Sequence, residues 1–291
     1  MSWFPAALLA AAAAATADAV LKAGFGARGA VCMAMARSVA PALILWPGLF
    51  FLPHPPLRAA FWSTVAALVP LEVLALVLYM RAIRASPLSL TLPMLAFTPV
   101  FVLLSGWAIL GERPGAVGAA GVVVTVAGAY ILNLGAVREG WLAPWRRLGR
   151  SEGPRLMLLV AAVYAVTSVL GKRAVLLAAP FFFACFYFVL LGVVVPVLLW
   201  PLARREARGA PAPFPWKAFW GVGFCQAAMV LGHMWAIHLA PAAYMIAVKR
   251  TSLLFGVLYG RFWFGETDLG ERLSGAALML AGVVVIAAAH G

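Results

Sequence analysis

GWAILGERPGAVGAAGVVVTVAG, residues 106–128, returns later in the chain as GRFWFGETDLGERLSGAALMLAG, residues 260–282. Sliding the second copy back by 154 positions, from 260 to 106, sets Gly260 on Gly106, Gly265 on Gly111, Glu266 on Glu112, Gly275 on Gly121 and Gly282 on Gly128. The same shift sets Pro241 on Pro87, Met234 to Ile237 on Met80 to Ile83, Gln226 on Glu72 and His233 on Tyr79. A shift of 150 relates the start of the two halves, with Lys172 on Lys22, Ser168 on Asp18 and Tyr187 on Arg37. Small residues recur by chance in apolar helices, but chance does not align six Pro, Gly and Glu positions in one register. The chain reads as an internal duplication.

Both copies lie in apolar surroundings. Of the 291 residues, 65% are hydrophobic and 11% charged, against about 25% charged in a soluble domain, and the mean hydropathy is +1.00. The apolar runs are long and continuous, which excludes the alternating ten-residue pattern of an outer-membrane barrel. They predict an all-α polytopic membrane protein with ten transmembrane helices at about 3–24, 31–52, 59–82, 87–110, 115–136, 154–175, 178–200, 217–239, 242–264 and 270–290. The N-terminal run lacks a basic leader segment and has an internal helix as its repeat partner, so it is read as the first span rather than a signal peptide.

Turn signals separate the spans: PHPP at 53–56, the Gly111-Glu112-Arg113-Pro114 corner and PAPFP at 211–215. The expected domains are a first five-helix repeat over 1–137, a basic linker over 138–153 and a second five-helix repeat over 154–291. An odd number of spans per half inverts one half relative to the other. Inverted halves imply alternating access, with a site at their interface.

At this point the chain resembles the drug/metabolite transporter superfamily, and within it the EamA-like family. Each half closes as that family does, with a small-residue helix ending in Gly-Glu, a tight corner and a Gly-rich helix. The resemblance implies the ten-span inverted-repeat fold and transport. It leaves the substrate open, because the superfamily carries amino acids, nucleotide sugars, sugar phosphates, drugs and lipid-linked species.

Charge inside an apolar span marks the candidate site. A Lys or Arg at a helix centre costs about 2.5–3.5 kcal/mol on insertion scales, so such residues meet water, a counter-charge or an anionic ligand. Lys249 and Arg250 stand side by side near the middle of the ninth span, where the first half has Leu95 and Ala96. The pair is similar in type and helix to the Lys-Arg pair with which sugar-phosphate transporters hold phosphate. Those relatives also use a Lys in the fourth helix, and this chain has none between Leu88 and Leu110. Phosphate-bearing and carboxylate-bearing anions therefore both remain open.

Glu72 and Asp18 are the candidate coupling-proton carriers or ion-pair partners of Arg37, Lys22 or Lys249, and Asp18 is also spaced to pair with Lys22 on one helix face. Arg37 is either a site residue or an interfacial cation that snorkels. His233 and Gln226, seven apart, share a helix face and could hydrogen-bond a substrate. Tyr187 joins them as the counterpart of Arg37. Glu112 and Glu266 are read as capping groups for the helix that follows each corner.

No HExxH, GxSxG or phosphate-loop pattern is present, so no enzyme, metal or cofactor is expected. Cys32, Cys185 and Cys225 sit in apolar runs and read as buried thiols. The net charge of +13 falls beside Trp residues and between spans, which fits lipid contact rather than nucleic acid. Lys and Arg concentrate in the odd connections, placing those in the cytoplasm and both termini outside; relatives are generally drawn the other way round.

The expected protein is a monomeric secondary transporter in the bilayer of the plasma (bacterial inner) membrane, a dimer remaining open. It moves a small-molecule organic anion, phosphorylated and lipid-linked ones included. The alternatives are a proton-coupled exporter of amino acids or of aromatic or cationic drugs, and a lipid flippase or flippase subunit.

Overall fold

The computed structural model describes residues 3–85, 93–134, 142, 145, 151–207, 213–264 and 270–290. Every ordered element among them is helical, as lipid requires of a chain that must satisfy each backbone group within its own span. In chain order the helices are α1 (Trp3–Phe25), α2 (Ala30–Leu45), α3 (Gly48–Phe51), α4 (Ala59–Ala85), α5 (Thr98–Leu110), α6 (Ala116–Leu134), α7 (Glu152–Leu177), α8 (Pro180–Ala207), α9 (Trp216–Leu239), α10 (Ala242–Lys249), α11 (Ser252–Phe264) and α12 (Gly270–His290). Among the described residues, seven spans are long and apolar enough to cross a membrane; two shorter apolar helices, Ala116–Leu132 and Ser274–Ala289, and the α10–α11 segment fill out the expected set of ten. Most of the linker, Glu266 and the corner at 265–269 lie outside the described residues.

Three spans expected as single helices are interrupted. The second breaks at Trp46–Pro47, where proline removes a backbone donor. The ninth breaks at Arg250–Thr251, between α10 and α11, and the fourth breaks at Ala96–Phe97, just before α5. These last two breaks correspond under the shift of 154. At the ninth, Arg250, Thr251, Leu253 and Leu254 donate their N–H groups to the carbonyls of Ala247, Val248, Arg250 and Thr251, three residues back in each case. At the fourth, Ala96, Phe97 and Val100 donate to Pro93, Met94 and Phe97 in the same way. The α-ladder tightens to a 3-10 turn at matching points of the two halves.

The strongest packing is between α6 and α12, which cross through the matched glycines. A Cβ at Gly128 would fall on the backbone of Met279 and the carbonyl of Gly275; one at Gly275 would fall on the backbone of Leu132 and the carbonyl of Gly128. Gly121 and Gly282 repeat the contact further along. Next come α1 against α9, α4 against α7, and α2 against α8. Exchanging the halves turns the α1–α9 packing into the α7–α4 packing and leaves the α2–α8 and α6–α12 pairs as they were. The exchange is not perfect. Helices α2 and α9 pack closely, with Gly223 against the backbone of Ala40, whereas α4 and α8 meet through the rings of Phe61, Trp62, Phe183 and Phe186.

Glu112 does not cap the helix that follows it. Gly111 takes the left-handed conformation (φ +68°) that ends α5, and the Glu112 side chain then turns to a different span. Its Oε2 accepts the N–H of Ala242 at 2.9 Å, at the N-terminus of α10, and its Oε1 pairs with Lys172 of α7. Lys172 also donates to the carbonyl of Ala240. A capping carboxylate needs an unpaired helical N–H and a favourable dipole end, and here α10 supplies both.

Candidate functional site

The Lys249–Arg250 break faces a set of polar side chains drawn from six helices. Lys249 closes α10, and its Nζ lies 3.2 Å from Nδ1 of His233 on α9. A lysine ammonium has only donors, so Nδ1 accepts and the His233 ring carries its proton on Nε2. Arg250 stands in the break itself, with Tyr79 of α4 and Tyr164 of α7 as its electrostatic neighbours. Its Nε is buried and has no hydrogen-bond partner among the described residues. Among the described residues, no carboxylate is within ion-pair distance of either cation.

Asp18 of α1 bonds to Nη1 of Arg37 on α2. Arg37 is thus a paired cation rather than a snorkelling one, and Asp18 takes this partner from another helix instead of being held only by Lys22. The side chains of Asp18 and Arg37 are 57% and 41% exposed, yet Arg37 has Tyr79, Tyr164 and Lys249 as neighbours on three further helices. Surrounded in this way, the pair is exposed to a space between the helices.

Glu72 lies at the midpoint of α4. Its carboxyl meets the Thr167 hydroxyl of α7, with Lys249 and Arg37 within electrostatic reach. Tyr164 and Tyr187 have Glu72 as a neighbour in turn. Tyr187, on α8, stacks on Phe183 at 5.3 Å, and its buried hydroxyl has no hydrogen-bond partner among the described residues.

The structure therefore brings together Asp18, Arg37, Glu72, Tyr187, His233, Lys249 and Arg250. Gln226 is on α9, 3% exposed, and among the described residues its side-chain oxygen has no hydrogen-bond partner and no hydrogen bond or ion pair joins it to the others. Tyr79, Tyr164 and Thr167 belong to the cluster and were not singled out from the sequence. Tyr79 carried one signal, its alignment with His233 across the repeat. Three cations face two carboxylates, which leaves a net positive site when all five are ionised. Among the described residues no His, Cys, Asp and Glu group could hold a metal ion.

Comparison with curated proteins finds no match to this chain. A solved structure titled only "Crystal structure of protein" superposes with a TM-score of 0.74 at 15% identity, covering 99% of this chain and 98% of that one; at that identity the likeness is one of fold. The model of the EamA-like transporter family matches residues 1–134. Residues 1–134 are thus similar to that family, which is consistent with the drug/metabolite transporter superfamily, and the apolar helices of the described residues fit a multi-pass membrane protein.

Proposed function

We propose that the protein is a secondary active transporter that moves an organic anion by alternating access between two inverted five-span halves. The site is the space around Lys249 and Arg250, and one copy of the chain is sufficient to enclose it in the plasma (bacterial inner) membrane. The observation that carries the reading is the pair of cations at a helix break with no carboxylate partner among the described residues. Unwound helices near the middle of a span are where secondary transporters of inverted-repeat design hold their ligands. A buried guanidinium nitrogen without a partner is costly unless a ligand supplies an acceptor. The matching breaks in the fourth and ninth spans, and the helix pairing that survives exchange of the halves, support the inverted repeat.

Lys249 and Arg250 would bind a phosphate or carboxylate, and Tyr79 and Tyr164 would offer rings and hydroxyls to the rest of the substrate. The test is a thermal-shift screen of purified wild type and Lys249→Ala against anionic, zwitterionic and cationic metabolites. A ligand at about 100 times its Kd stabilises the folded state by about 2.7 kcal/mol. Anions that stabilise wild type and not Lys249→Ala support the reading. Cations or amino acids that stabilise both proteins equally replace it with the exporter alternative, in which Asp18 and Glu72 meet the substrate.

A further inference from the structure

The two faces of the molecule, one carrying the odd connections and one the even, are tied together differently. At the odd face Arg81 of α4 pairs with Glu152 of α7. Glu206 of α8 accepts the N–H groups of Val31 and Cys32 at 2.9 and 3.1 Å, at the start of α2. These ties stay within helix pairs, α4–α7 and α2–α8, that already pack along their length. At the even face the tie crosses between pairs. Glu112, at the corner after α5, and Lys172, on α7, hold each other, and both grip the α9–α10 corner through the Ala242 N–H and the Ala240 carbonyl. Tyr244 of α10 adds a second crossing, since a Cβ at Gly118 of α6 would fall on its ring.

The ninth span changes character at its break. Toward the even face, Ala242 to Val248 of α10 are at most 6% exposed. Toward the odd face, α11 packs mainly on α1, where the Tyr259 and Thr16 hydroxyls meet at 2.7 Å. Gly256 lies on the helix ridge between Tyr259 and Leu253, which packs against the Ala96, Ala129 and Met279 cluster. It faces the gap between those contacts, and a Cβ placed on it meets nothing within 4 Å. The half-exposed Asp18 and Arg37 each stand seven residues from an odd-face helix end, Phe25 of α1 and Ala30 of α2, which is about 10 Å deep. The space around Lys249 and Arg250 thus opens toward the odd face, and α10 stands between it and the even face.

We propose that the grip of Glu112 and Lys172 on the α9–α10 corner, with Tyr244 against Gly118, is the even-face gate of the transport cycle, and that this structure is the odd-open state. The proposal rests on the alternating-access reading above. Opening parts the corner from Glu112 and Lys172, breaks their bonds to Ala242 and Ala240, and lifts Tyr244 from Gly118. Glu112 and Lys172 stay together, because α5 and α7 pack against each other. Water then reaches the ion pair and the two freed backbone groups, so the desolvation cost of burying the pair is recovered on opening. Such a seal holds the gate shut without locking it.

The experiment measures cysteine reactivity in the purified full chain, with Cys32, Cys185 and Cys225 changed to serine, using a charged thiol reagent and no ligand. Gly256→Cys reports the odd-face opening. Met245→Cys, at a fully buried position one turn from Lys249 on the side of the gate, reports the even-face opening. With the gate intact, Gly256→Cys should react fast and Met245→Cys slowly. Two gate variants are compared, the Glu112→Ala, Lys172→Met double variant and Tyr244→Ala, the second leaving the ion pair in place should the first fail to fold. Each should speed Met245→Cys about tenfold, the effect on an equilibrium of losing one hydrogen bond to a charged group, and slow Gly256→Cys. Opposite shifts at the two positions mark a gate, whereas a fold that is merely loosened exposes both. A Met245→Cys rate that does not rise, or a Gly256→Cys rate that does not fall, overturns the proposal. Because no anion is present, that result leaves the anion reading to the thermal-shift screen, and failure of the screen leaves reciprocal labelling standing.

Discussion

At the scale of single residues, the geometry of Lys249 depends on His233. Lys249 can only donate, and the His233 Nδ1 lone pair is the acceptor that fixes where its ammonium points. Glutamine at 233 keeps an acceptor in reach, whereas leucine removes it. His233→Gln is expected to bind the anion within a few-fold of wild type, and His233→Leu about tenfold more weakly, the loss of one hydrogen bond to a charged group. Titrating each variant by thermal shift checks this, and equal affinity in His233→Leu would remove His233 from any positioning role. The charged members of the cluster were legible in the sequence because charge inside an apolar run is conspicuous. Tyr79, Tyr164 and Thr167 were not, since a tyrosine or threonine in such a run carries little penalty and stands out from nothing. The sequence offered Arg37, Lys22 and Lys249 as partners for Asp18 and could not choose among them, because Arg37 reaches Asp18 only once α1 and α2 have packed.

At the scale of elements, the sequence marked the corners well and the breaks poorly. Proline and glycine punctuate the connections, so most helix limits fall within a few residues of expectation. No such residue stands at Arg250 or Thr251, and the ninth span reads as one continuous apolar run. The break is visible only in the hydrogen bonds, where the ladder tightens by one residue at both repeat positions. The Glu112 link was hidden by distance, as its acceptor role joins residues 130 positions apart. It ties the corner after α5 to the start of α10 and to α7, and it is largely buried, with the Lys172 and Glu112 side chains 9% and 16% exposed. Removing one partner of such a pair strands the other's charge. Glu112→Ala should lower unfolding stability by roughly 3–5 kcal/mol, and also free the Ala242 N–H that begins α10. The Glu112→Ala, Lys172→Met double variant should recover part of the loss, because both members of the stranded pair are then gone. Unfolding midpoints of the four proteins in one detergent supply the double-mutant cycle. Strictly additive losses would mean that the ion pair contributes little beyond its two separate side chains.

At the scale of the whole molecule, the duplication and the ten-span layout were readable from matched Pro, Gly and Glu positions, and the glycines prove to be where α6 and α12 touch. Orientation in the membrane follows from charge. Among the described residues, exposed cations stand on both sides, more of them in the odd connections. Lys172, which by position falls on the even side, is buried against Glu112 and contributes nothing at a membrane surface. On the odd side Arg204 and Arg205 are exposed at the end of α8, with Arg204 over the Trp200 ring at 4.9 Å; that is how an interfacial cation anchors. On the even side Arg58, Arg113 and Arg173 are exposed. The bias predicts that the odd connections lie in the cytoplasm, and single cysteines can test it after Cys32, Cys185 and Cys225 are changed to serine. A thiol reagent that cannot cross membranes, applied to intact cells, should label Arg58→Cys and Arg113→Cys but not Arg205→Cys until the cells are opened. The reverse pattern would put both termini in the cytoplasm and make the transporter an exception to the charge rule. Because the same helices serve either orientation, that outcome would leave the chemistry around Lys249 unchanged.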